Sequence, residues 1–172
     1  TPALARPAAA MAQGSMLAAA RYLRGDLPEV RDRAFEALLA AAAGDVLRLL
    51  EIAQACAQEA GKKRTLVPLL LQTMALVGRD ALLLAEGALI EPPARGKGPA
   101  AAGVPLVNAD RAPELQKLAR AMDPADLRAL VRKAEAAERQ IAGHAAAEHT
   151  LAALFLDLAH AADRPPAAAR PG

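Results

Sequence analysis

The side chains able to do chemistry in this 172-residue chain are few: three histidines, one cysteine, an Arg79-Asp80 pair and a basic run at Lys62-Lys63-Arg64. His144 and His149 follow Gly143 at five-residue spacing, and no cysteine lies near them. Two imidazoles that share a helix face and a zinc ion stand four residues apart, so the pattern of such a site is missing. His160 stands alone near the C-terminal end, as a solvated residue does. No G-x-x-x-x-G-K-[ST] run is present, and Gly96-Lys97-Gly98 is too short to cradle phosphates. Cys56 sits among apolar residues at helical spacing, the setting of a buried, inert thiol. A single cysteine also excludes an intrachain disulfide, and a reducing cytoplasm is the natural compartment. No catalytic residue, cofactor or metal is therefore expected.

Two charged features remain. Lys62-Lys63-Arg64 forms a compact basic turn that is either solvated or set against phosphates. It lacks interleaved aromatics for base stacking, and the net charge of +2 adds no argument for nucleic acid. Arg79-Asp80 falls in the middle of an apolar segment. Either the two charges find partners at the helix surface, or they form an interhelix or intersubunit salt bridge that fixes register.

The elements that must position these residues are helical. Apolar residues make up 54% of the chain and aromatics 2%, so alanine and leucine build the core. Unbranched small residues favour helices and let them approach closely, which argues for an all-α helical bundle. One helix ends at Gly25. Asp26, with Glu29 three residues on, is expected to form a capping box for the next, with Pro28 in its first turn. Val30, Ala34, Phe35, Leu38, Leu39 and Ala42 then recur as one apolar stripe. After the Gly44-Asp45 break, Val46, Leu49, Leu50, Ala53, Cys56 and Ala57 form a second stripe that stops at Gly61.

Thr65 is expected to cap a third long helix, apolar nearly all round, reaching about Ala88. Such a helix belongs at a bundle's centre or in an oligomer interface. Arg79-Asp80 inside it argues against a membrane span. Residues 89–109 are rich in proline and glycine, and 91–105 reads as a flexible loop. Asp110 restarts the pattern with Leu115, Leu118, Ala119 and Met122. Asp123-Pro124-Ala125-Asp126 opens a helix carrying Leu127, Leu130, Val131, Ala134 and Ile141 to Gly143. A last helix over about 146–162 offers Leu151, Leu154, Phe155, Leu158 and Ala162, and a disordered tail over 163–172 follows.

The order of these landmarks resembles the clamp-loader subunits of bacterial DNA polymerase III. Ala12-Gln13-Gly14-Ser15, Ala18-Ala19-Ala20 and Arg24-Gly25-Asp26 look like the end of the family's lid. Gly78-Arg79-Asp80 through Gly87-Ala88 resembles its Arg-Asp collar helix, and Leu106-Val107-Asn108-Ala109-Asp110 its Asn-x-Asp re-entry. Ala134 to Leu158 resembles its closing helix pair. The likeness covers roughly residues 8–162. It implies lid-end residues 1–25, a collar domain over 26–162, and an ATPase-like module that this chain does not carry. In relatives that sense nucleotide an arginine follows Gly-Ser after one residue. Leu17 fills that slot here, a degenerate sensor position, which places the likeness on the non-hydrolysing delta-prime side. Implied partners are gamma/tau and delta in a cytoplasmic hetero-oligomer that meets DNA only through the assembled complex and touches no membrane. Leu70, Met74, Arg79, Asp80, Leu154, Phe155 and Leu158 are the candidate interface. The alternatives are a gamma/tau- or delta-type collar, or a helical nucleic-acid-binding module built on the 62–64 turn and the 128–139 arginines. Those arginines alternate with Glu135 and Glu138, which favours pairing along a solvated helix face.

Overall fold

The structure, a computed structural model, describes residues 2–12, 15–63, 65–87 and 106–162. Gln13-Gly14, Arg64, the Gly/Pro-rich loop and the tail expected from the sequence lie outside these. Every regular element among the described residues is helical, so the chain is an all-α helical bundle. In chain order the helices are α1 (Pro2–Met11), α2 (Met16–Arg24), α3 (Leu27–Ala42), α4 (Val46–Ala60), α5 (Leu66–Ala85), α6 (Ala112–Ala121), α7 (Pro124–Ala142) and α8 (Ala147–Ala162). A short 3-10 turn, Ala109–Arg111, leads into α6.

α5 occupies the centre, as its nearly unbroken apolar circumference requires. It packs against α3, α6 and α7, and at one end against α4 and α1. Its Leu66, Val67, Leu69, Leu70, Leu71, Met74, Val77 and Ala81 are all buried. The helix is long and apolar enough to cross a membrane, yet its side chains are spent on neighbouring helices of the same chain. α8 closes the far side against α4, α3 and α7, burying Leu151, Leu154, Phe155 and Leu158. At the N-terminal end α1 and α2 pack on each other, and Ala8 and Met11 of α1 join the same core as α3 and α5.

Local signals decide the ends, with some differences from expectation. Asp123 caps α7 by accepting from the Ala125 amide at 2.7 Å, and Gly143 follows its last residue. Asp45 caps α4 through the Arg48 amide, while Gly44 turns the chain at φ 70°. The capping box at Asp26 does not form. Its carboxylate accepts from Lys63 Nζ at 2.6 Å, tying the start of α3 to the turn before α5. Thr65 makes no side-chain cap either, and α5 stops at Ala85, with Gly87 at φ 69° two residues on. The α4 stripe is also rotated: Ile52 turns inward, while Val46, Leu47 and Leu50 stay exposed.

α5 and α7 run antiparallel at close range, and one glycine makes that possible. A Cβ on Gly78 would lie 2.6 Å from Leu130 Cδ2 and 3.2 Å from Leu130 Cγ. Leu130 is itself fully buried, in a core that also holds Val77 and Leu127. Alanine gains up to about 1 kcal/mol in helix propensity, but overpacking a tight core costs about 1–3 kcal/mol. Gly78→Ala is therefore expected to destabilise the fold by about 1 kcal/mol. Urea denaturation measures this, and an unchanged or raised midpoint contradicts the close approach.

Candidate functional site

The charges that the sequence singles out converge on one buried cluster. Asp80, on the face of α5 toward α3 and α6, has no solvent exposure at all. An isolated carboxylate cannot stay ionised in such a place without hydrogen-bond donors. Asn108 provides two: its backbone amide and its Nδ2 both donate to Asp80 Oδ2, at 2.7 and 2.9 Å. Asp80 Oδ1 accepts from Arg79 Nη1 at 3.1 Å. The Asn108 carbonyl oxygen, Oδ1, accepts in turn from Arg31 Nε at 2.9 Å. The other two guanidinium nitrogens of Arg31, itself only 4% exposed, form a fork onto Asp110 at 2.9 and 2.5 Å. A two-pronged contact of this kind fixes orientation as well as charge.

The aromatic ring of Phe35 supports the cluster from below. Arg111 places its guanidinium 3.9 Å from the ring centroid and Arg31 lies 5.8 Å away, within cation–π range. Arg111 also donates to Asp32 and Glu114, so the turn before α6 is tied to α3 by two arginines. Among the described residues no buried side-chain polar atom lacks a hydrogen-bond partner. A cluster satisfied in this way holds one arrangement of α3, α5 and the 106–111 segment.

The candidate interface residues are placed mostly inside. Leu70, Met74, Asp80, Leu154, Phe155 and Leu158 are buried within the chain itself, so in this fold they belong to its own core. Arg79 alone of that set keeps 40% of its side chain exposed. Arg79 and Asp80 bridge each other at 3.1 Å along α5, and the interhelix partner of Asp80 is the neutral Asn108. Leu17, on α2, is 73% exposed and next to Met16, which is more exposed still.

Other candidates are dispersed. His144, His149 and His160 are exposed, and among the described residues no group of three metal-ligating side chains exists. Cys56 is buried beneath the Arg33–Glu59 pair. Burial pushes its thiol above the usual range, against the weaker opposite pull of Arg33. Glu59, which accepts from both Nη atoms of Arg33, is held below the usual carboxylate range. Lys63 is engaged by Asp26. The charges of α7 pair across helices and not along their own: Arg128 with Glu86, Lys133 with Asp157, and Glu138 with Gln72. The cluster's own Arg31 and Asn108 escape a reading by residue type. Arg31 had a signal, since it stands three, four and seven residues before Ala34, Phe35 and Leu38 on the buried face.

A second feature is open. Between α1, α5 and α7 lies a groove of about 630 Å³, with an apolar floor and charged side chains along its rim. No family model, curated protein or solved structure matches this chain.

The cluster yields a direct test. Asp80→Ala removes the acceptor and leaves two Asn108 donors buried and unpaired, a change that costs about 3 kcal/mol or more. Asp80→Asn keeps an acceptor and should lose about half as much. Denaturant midpoints distinguish the two, and a shift for Asp80→Ala as small as that of an exposed substitution contradicts the geometry.

Proposed function

We propose that this chain is a non-catalytic assembly domain, a collar of the kind found in bacterial DNA polymerase III clamp loaders and closest in character to delta-prime. One observation carries the reading. The Arg79-Asp80 pair and the Asn108-x-Asp110 motif, two elements of the resemblance, lie 28 residues apart at Asp80 and Asn108. They meet in a single hydrogen-bonded cluster, which gives those motif residues a shared physical role in holding a helical bundle together.

Supporting arguments come from the chemistry. No described cleft gathers a nucleophile with a base and an oxyanion donor, as catalysis requires. Leu17 stands exposed in the slot where a nucleotide-sensing relative carries arginine, and leucine has no charge to offer a phosphate. The cations that a nucleic-acid reading needs are committed in part: Lys63 to Asp26, Arg128 to Glu86 and Lys133 to Asp157. The proposed partners are therefore gamma/tau and delta, with DNA reached through the complete complex in the cytoplasm. Exposed apolar side chains on α2 and α4 and the groove beside α5 supply surface for such contacts.

Mixing the chain with gamma/tau and delta and passing it over a sizing column tests the proposal. Co-elution in an earlier peak is the expected result. Elution of the chain alone at every mixing ratio contradicts it.

A further inference from the structure

The groove beside α5 has the shape of a seat for a helix. α5 and α7 line it with parallel stripes at helical spacing, Ala75, Leu76, Arg79 and Leu82 on one wall, Arg128, Val131 and Arg132 on the other. The antiparallel run of the two helices is fixed by Gln72 meeting Glu138 at one end and Arg128 meeting Glu86 at the other. A furrow between two such helices accepts the ridge of a third. At one end Ala10 and Met11 of α1 form part of the groove wall beside Leu71. Beyond α1 the groove stays open past Leu76, Leu82 and Val131, which are only partly buried.

The rim says which helix fits the open length. Arg132 is exposed and makes no hydrogen bond or ion pair among the described residues. Arg79 spends only Nη1, on Asp80 Oδ1 at 3.1 Å, so most of the Arg79 fork is unused. Arg128 stands beside them with an exposed partner in Glu86 that a better-placed carboxylate can displace. Acidic residues on the rim lie toward the α1 end, where Glu138 accepts from Gln72 and Glu135 follows Arg132 by one turn. We propose that this groove docks an amphipathic helix of a partner protein, with leucine-type residues against Leu76, Leu82 and Val131 and carboxylates beside Arg79, Arg128 and Arg132. The proposal deepens the assembly reading and rests on it for the identity of the partner.

The test uses the whole chain and a labelled peptide of about 15 residues built from alanine, leucine and glutamate, with leucines at three- and four-residue steps and glutamates flanking them. Fluorescence anisotropy should show saturable binding, weakened about tenfold when every glutamate of the peptide is lysine. Arg132→Glu should weaken the acidic peptide by a similar factor, and Ala75→Trp, which fills the groove, should abolish binding; circular dichroism establishes that both variants keep their helices. No saturable binding below about 1 mM overturns the proposal, as does equal binding of the acidic and basic peptides or indifference to both substitutions. The same variants mixed with gamma/tau and delta separate the two ideas. Loss of complex in Ala75→Trp supports the groove as the contact, whereas full complex formation by both variants overturns the groove and leaves the assembly reading standing. Peptide binding without any complex from the unaltered chain sinks the assembly reading alone.

Discussion

A carboxylate with no solvent exposure is the constraint on which this bundle turns. Asp80 sits at the centre of the most apolar helix in the chain, where its charge is costly unless donors reach it. The donors come from Asn108, on a segment that enters the core after a long interval in sequence, and Arg31 holds Asn108 from the other side. Each member is therefore useful only when the others are present. Leucine or alanine contacts tolerate small slides between helices, since one apolar surface packs much like another. A directional chain of hydrogen bonds from α3 through Asn108 to α5 admits a single register, and the Arg31–Asp110 fork extends the same demand to the start of α6.

The rest of the fold follows from small side chains. With only two phenylalanines and one tyrosine in the sequence, the core reaches packing density by bringing backbones together. Gly78 lets α5 and α7 approach around Leu130, and Ala34, Ala37 and Ala41 line the buried face of α3. The two phenylalanines are the exceptions, and Phe35 has a second role. Fully buried, it fills the space beside the polar cluster and gives two guanidinium groups an aromatic surface to lie on. Surface ion pairs between helices, such as Lys133–Asp157, add little to stability but match the charge patterns of neighbouring faces.

Much of this was legible in the residues. Periodicity located α3 to α8 and most of their buried positions, because each helix must hide one stripe from water. Gly61, Gly143 and the Asp123-Pro124 start marked boundaries, since those residue types act through local backbone geometry. Capping at Asp26 and Thr65 was not legible: Asp26 had a tertiary partner in Lys63, and a side chain has one carboxylate to give. The burial of Arg31 and Asp80 was hidden for a related reason. A charge at a stripe position reads as an interruption until its partner, more than 70 residues away for Arg31 and Asp110, is brought beside it. The apolar residues on α5 and α8 offered as subunit contacts are consumed by the chain's own core, and the exposed large apolar side chains among the described residues lie on α2 and α4.

An assembly role suits this economy. The cluster positions helices, and among the described residues a groove and exposed apolar side chains on α2 and α4 face outward. The claim that the Asp80–Asn108 contact organises the bundle is tested most directly by native-state hydrogen exchange at the Asn108 amide, the donor nearest to Asp80. The account predicts that this amide exchanges as slowly as the core amides of α5, opening only with global unfolding. Exchange on the timescale of the exposed helix ends would show that the segment opens independently of α5, and would contradict it.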